Sequence, residues 1–208
     1  MKKLIAIISF IAMATAAMAQ TAEEIVSRME AEMNKHDESE GVAMTIDIKV
    51  FLLGTMTTRA YTLGDKSRVE ASVMGNDMVT WDDGVTTWTY DSKKGEVEIS
   101  NATPKEKSDS DGDIKMFEGV TDGYDVKIDK ETSTEWHILC KRSRNNPDKD
   151  APKKIDLVIA KDTYWPVSLS ASLKGIDMTM RDISFGVTEK QVTFNPADYP
   201  NIKMVDKR

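Results

Sequence analysis

Between residues 42 and 101, and again between 124 and 185, apolar residues return at every second position, and short groups of turn formers cut the runs. Period-2 alternation puts one row of side chains on each face of a strand, whereas a helix needs a period near 3.6. Val42, Met44, Ile46, Ile48, Val50 and Leu52 alternate with Ala43, Thr45, Asp47, Lys49 and Phe51. Gly54-Thr55 opens a second strand reaching Leu63, and Gly64-Asp65-Lys66 turns it. Val69, Ala71 and Val73 alternate with Arg68, Glu70 and Ser72 up to Gly75-Asn76-Asp77. Val79 and Trp81 lead to Asp82-Asp83-Gly84, Trp88 and Tyr90 follow, and Lys94-Gly95 turns into Val97 and Ile99. Six strands joined by tight turns predict an antiparallel meander. Five more are predicted at Tyr124–Glu131, Thr134–Lys141, Lys153–Lys161, Pro166–Lys174 and Ile176–Phe185. Their shared faces are Trp136, Ile138 and Cys140; Ile155, Leu157 and Ile159; and Val167, Leu169, Ala171 and Leu173.

Helical signals are few. Thr21 and Glu24 have capping-box spacing, and Ile25, Met29 and Met33 recur at i+4 with Val26 beside them. The pattern predicts an amphipathic helix of about five turns ending near His36-Asp37. Thr103 to Gly123 is polar with an apolar group at Ile114, Met116 and Phe117, which reads as a loop carrying a short helix. Ser143 to Pro152 is a polar loop. About eleven strands with one apolar face present more surface than these helices cover. The sheet either closes tightly into a packed core or leaves an apolar cavity, and a cavity in an exported protein suggests an apolar ligand.

Export is expected from the N-terminus. Lys2 and Lys3 precede an apolar run from Leu4 to Ala16, and Ala17-Met18-Ala19 fits a signal-peptidase site before Gln20. The run is shorter than the ~20 residues that span a bilayer. Residues 1–19 are therefore expected to be a signal peptide and residues 20–208 one exported, soluble domain. No Cys stands near the cleavage point for acylation. Losing Lys2 and Lys3 takes the net charge from −7 to −9, which argues against an electrostatic grip on nucleic acid or anionic lipid headgroups. Ten of the thirteen Met lie beyond residue 19, several at inward positions, where pliable thioether chains suit either irregular apolar partners or gaps in a core.

Reactive constellations are scarce. One Cys excludes an intramolecular disulfide and a multi-cysteine metal site. Asp109, Asp111 and Asp113 have the spacing of the first three ligands of a calcium loop, but Ile114 and Val120 replace its Gly and its Glu, so no metal is expected. His36 near the helix end and His137 on an outward strand face have no partner at ligand or triad spacing and read as surface residues. Cys140 shares a face with Trp136 and Ile138, which predicts a buried, inert thiol. Without HExxH, GxSxG or a glycine-rich phosphate loop, neither catalysis nor a cofactor is expected.

Two segments carry a resemblance when read together. Asp83-Gly84-Val85-Thr86-Thr87-Trp88-Thr89-Tyr90-Asp91 resembles the DG-x-x-x-W-x-Y-[DN] segment of the outer-membrane lipoprotein carrier (LolA-like) family, with Ser67-Arg68-Val69-Glu70 on the strand before it. Val192-Thr193-Phe194-Asn195-Pro196 and Val205-Asp206-Lys207-Arg208 resemble that family's closing pattern. The resemblance implies a mainly β fold: an unclosed antiparallel barrel of about eleven strands wrapped over an N-terminal helix and a short helical lid. It implies a periplasmic carrier that shelters lipoprotein acyl chains between the membranes. A general periplasmic lipid or hydrophobe carrier on the same fold and a non-catalytic envelope scaffold with a packed core are the alternatives, and a monomer is expected. An inner-membrane lipoprotein-releasing transporter and an outer-membrane acceptor are its implied partners, and nucleic acid is not one. The expected cavity lining is Met29, Met33, Met44, Ile46, Ile48, Trp81, Trp88, Ile138, Leu157 and Leu169. One departure stands out: the family's lid-controlling Arg-Pro pair meets Leu63-Gly64 here, leaving Arg59 or Arg68 as candidate substitutes.

Overall fold

The computed structural model describes residues 20–50, 54–103 and 117–208. The segment 1–19, the acidic run at Asp109, Asp111 and Asp113, and the lid positions Ile114 and Met116 lie outside the described residues. Helix α1 spans Ala22–Met33 and opens on the predicted capping box. The backbone N–H of Glu24 donates to Thr21 Oγ1 at 3.1 Å, and that of Thr21 donates to Glu24 Oε2 at 3.2 Å. The helix is shorter than the five turns expected to reach His36-Asp37. The N–H groups of Lys35 and His36 bond back to the Glu32 and Met33 carbonyls, three residues away, which tightens and ends the coil. The apolar period also stops at Met33, so no further turn would have a face to bury. Thr21→Ala is expected to cost about 1 kcal/mol through the lost cap, read as a lower urea midpoint with unchanged m.

The strands are β1 (Val42–Val50), β2 (Gly54–Leu63), β3 (Lys66–Val73), β4 (Asn76–Asp82), β5 (Thr86–Asp91), β6 (Glu96–Asn101), β7 (Tyr124–Glu131), β8 (Glu135–Arg142), β9 (Lys154–Ala160), β10 (Pro166–Leu173) and β11 (Ile176–Phe185). A short helix α2 (Glu189–Val192) and a strand β12 (Lys203–Asp206) follow. All twelve form one sheet in the order β12-β6-β5-β4-β3-β2-β1-β11-β10-β9-β8-β7. Every pair is antiparallel except β12 with β6. Among the described residues β12 and β7 are not paired with each other, so the sheet is unclosed, as the family resemblance implies. The described residues form twelve strands against the expected eleven or so, because β12 is too short to carry a periodic signal of its own.

Register divides the sheet into a face covered by α1, here the helix face, and an outer face. Residues paired across strands share a side. On the helix face Ile138, Leu157, Leu169, Met180 and Ile46 stand in one row through β8, β9, β10, β11 and β1. Their neighbours Cys140, Ile155, Ala171, Met178 and Ile48 form the next row. Ile25, Met29 and Met33 of α1 pack onto this side with Phe117, each at most 2% exposed. One expectation fails at a bulge. Pro166 pairs with Ile159 and Ser168 with Val158, so Val167 is left unpaired and 39% exposed while Pro166 fills the inward place.

On the outer face Asp47 ties β1 to its neighbours. Arg181 Nε donates to its Oδ2 at 2.7 Å and Thr57 Oγ1 to its Oδ1 at 2.6 Å. The Arg181 and Thr57 hydrogen bonds hold the Asp47 carboxyl below the usual carboxylate range. The native pKa thus lies under the unfolded value of about 3.9, so the stabilisation is complete above about pH 4 and fades as pH falls through the native value. Asp47→Asn should therefore lower the urea midpoint by a constant amount from pH 5 to 8, with the gap to wild type closing below about pH 4.

Candidate functional site

Helix α1 covers only part of its face. It lies against β7 and is tethered beside β9 and β10, where Arg28 Nη1 donates to the Tyr164 hydroxyl at 2.8 Å and Gln20 Nε2 does so at 2.8 Å. Beneath it Leu157 is 1% exposed and Ile155 7%. Along the second apolar row the cover runs out, and Met178 is 45% exposed. Leu173 and Ile176, paired at the β10–β11 turn, are also exposed, and so are Val69 and Val73 on β3. Val69 belongs to the same side as Met44, since Met44 pairs with Ala60 and Ala60 with Val69. The result is an apolar strip across β10, β11, β1, β2 and β3, continuous with the core and open beside it.

The strip offers desolvation and little reactivity. Cys140 is fully buried, and burial pushes its thiol up to about 11, so it stays protonated at neutral pH, the inert thiol expected. His137 sits on the outer face, opposite to Ile138, with Nε2 3.5 Å from Glu135 Oε2. His36 departs from the surface role expected. It is half-buried, stacks on Phe185 at 4.1 Å, meets Trp165 edge-on at 5.5 Å and places Nδ1 2.9 Å from Glu40 Oε2. Phe185 and Trp165 are more than a hundred residues away in the chain, so no local signal announces them.

Of the ten side chains expected to line a cavity, Met29, Met33, Met44, Ile138 and Leu157 are gathered in the buried core, with Ile46 and Leu169 packed against it. Ile48 reaches the open strip, paired with Met178. Trp81 and Trp88 are not with them. Trp81 pairs with Arg68, Arg68 with Tyr61 and Tyr61 with Ala43, so this row lies on the outer face, opposite to Met44. There Trp81, 4% exposed, meets Phe194 at 5.3 Å and Tyr199 at 5.7 Å, and Trp88 stacks on Phe194 at 5.5 Å. The segment after α2 crosses the outer side of β4 and β5, and its continuation adds β12 beside β6. The helix side of those same strands carries Thr80, Thr89 and Glu98. The apolar side of the sheet therefore changes face between β3 and β4.

Both arginine candidates also lie on the outer face. Arg59 pairs with Thr45 and Glu70. Arg68 stands 5.3 Å over the Trp81 ring, and its Nη2 is 2.6 Å from Glu70 Oε1. Neither reaches the side that α1 covers. The strip residues absent from the expected lining, Met178, Ile176, Leu173, Val69 and Val73, had a signal in the alternation. What it lacked was any sign of which apolar residues a helix would leave bare.

No protein-family model matches the chain, and no curated protein sequence matches it. Solved structures do. The Mycobacterium tuberculosis lipoprotein LppX is similar at 10% identity over 80% of this chain and 97% of that one, with a TM-score of 0.49. A LolA superfamily protein from Nitrosomonas europaea is similar at 11% identity over 85% and 99%, with a TM-score of 0.30. A chain of the Pseudomonas aeruginosa MucA/MucB complex is similar at 13% identity over 84% of this chain, with a TM-score of 0.43, and this chain spans 61% of its length. All three likenesses are distant.

Proposed function

We propose that this protein is a non-catalytic carrier that shelters acyl chains on the helix face of its sheet. The observation that carries the reading is the open apolar strip running from Leu173, Ile176 and Met178 into the core beneath α1. Leaving such a strip in water is costly for a fold and useful for a ligand of the same chemistry. Ten sheltered methylenes contribute about 8 kcal/mol against water, enough to hold a chain without covalent chemistry. The residue patterns around Trp88 and at the C-terminus resemble lipoprotein carriers. They support a lipoprotein as cargo, the periplasm as location with residues 1–19 as the signal peptide, and transfer from an inner-membrane releasing transporter to an outer-membrane acceptor.

A broader reading, carriage of other envelope lipids on the same strip, is favoured by one observation. Neither Arg59 nor Arg68 faces the helix side, so neither occupies the place of the family's lid-controlling arginine. Native mass spectrometry of protein purified gently from the periplasm separates the readings. An acylated protein bound to it, together with release of lipoproteins from spheroplasts on adding it, is the expected result. A bound free lipid points to the broader carrier, and bare polypeptide with no release overturns both.

A further inference from the structure

The net charge of −7 hides one strongly basic corner. Residues 141–154 contain Lys141, Arg142, Arg144, Lys149, Lys153 and Lys154 against only Asp148 and Asp150. The structure folds this segment beside the β10–β11 turn, and between them lies a concavity of about 480 Å³ lined by Arg142, Lys149, Lys153, Lys154 and Lys174, with Asp150 the only acid. The loop is built rather than loose. Arg142 Nη1 donates to the carbonyls of Lys149 and Ala151 at 2.6 and 2.7 Å, and the buried Asn146 donates to the Gly123 carbonyl at 3.0 Å. Most of its charge is not cancelled: Arg142 and Lys149 bond to neutral loop carbonyls, Lys149 Nζ donating to that of Asn146 at 2.6 Å, and Lys154 stands 2.9 Å from Asp156 Oδ1 with both side chains about half exposed. Lys174 and Asp150 are 3.3 Å apart but 74% and 83% exposed, a pairing that water and salt screen. Lys153 has no ion-pair partner among the described residues.

The same hairpin carries the exposed end of the apolar strip. Lys174 and Gly175, both at positive φ, form the tight turn, and Leu173 and Ile176 flank it as a cross-strand pair about 40% exposed. Cations around a projecting apolar pair match a bilayer surface, where phosphates lie outermost and acyl carbon begins just beneath. We infer that the β10–β11 hairpin and the basic loop before β9 dock this protein on an anionic bilayer, with the lysines on lipid phosphates and Leu173 and Ile176 in the interface. A soluble acidic partner would use the cations and leave the apolar pair in water. Docking here sets the mouth of the strip against the membrane, so an acyl chain can pass between them without crossing water. That purpose rests on the carrier reading, but docking itself is measured without cargo.

The test is co-sedimentation of cargo-free protein with vesicles of phosphatidylcholine alone and of phosphatidylcholine mixed equally with phosphatidylglycerol. Binding to the mixed vesicles only is expected, weakening as salt is raised. The triple change Lys149→Glu, Lys153→Glu and Lys174→Glu should weaken it by about a hundredfold. Leu173→Ser with Ile176→Ser should also weaken it with all charges kept, and unchanged circular dichroism shows that the variants fold. Equal binding to both vesicles, no binding at low salt, binding unaffected by either variant, or an equally tight grip on a soluble polyanion would each overturn docking. Loss of docking with acyl-chain capture intact overturns this inference alone, and loss of capture with docking intact overturns the carrier reading alone.

Discussion

Glutamate in place of Met178 is expected to abolish acyl-chain capture while leaving the fold almost untouched. Met178 stands on the helix face between Ile48 and Ala171 and is 45% exposed. In the empty protein a carboxylate there stays hydrated, so unfolding free energy should change by less than about 1 kcal/mol. A chain lying on the strip would strip water from that carboxylate without offering a hydrogen bond, a penalty of several kcal/mol. Affinity for a fluorescent fatty acid should fall at least ~100-fold, or about 3 kcal/mol, in a titration followed by emission. Val85→Glu is the control, since Val85 is 75% exposed on the β4–β5 turn at the other end of the sheet and should bind as wild type does. Retained affinity in Met178→Glu would remove the strip as the site.

Trp81→Ala should do the reverse. Its ring is 4% exposed on the outer face, in contact with Phe194 and Tyr199 and beneath the Arg68 guanidinium. Truncation removes a large buried aromatic and leaves a cavity, costing about 3–5 kcal/mol, a large part of the ~5–15 kcal/mol that holds a domain together. The segment that carries Phe194 and Tyr199 loses its seat, so amides of β12 should exchange faster with deuterium. The folded fraction should still bind the fatty acid probe with wild-type affinity, because α1 and the strip lie across the sheet. A large loss of affinity at wild-type stability would return Trp81 to the ligand's side.

The two substitutions mark where the sequence could be read and where it could not. Alternation names Met44, Ile46 and Ile48 as one side of β1, and Trp81 with Val79 as one side of β4, correctly in both cases. It does not say whether those sides are the same, because that depends on how β1 through β4 register across three hairpins. The bulge at Val167 is invisible for the same reason: one extra residue shifts the alternation only relative to a partner strand. The pairing of His36 with Phe185 and Trp165 joins distant parts of the chain, whereas the Thr21–Glu24 box closes within four residues and is legible directly.

Charge followed the same division. A net value of −7 argues against anionic surfaces only if the cations are dispersed, and whether Lys149, Lys153 and Lys174 converge depends on the β8–β9 loop meeting the β10–β11 turn. The sequence by itself determined the local matters: the strands, their turns, the capped helix, and the near absence of reactive groups. These depend on neighbours a few residues apart. Tertiary structure alone decided which face is covered, where the apolar strip stays open and which lysines stand together. Those depend on pairings between distant segments, for which no local period exists.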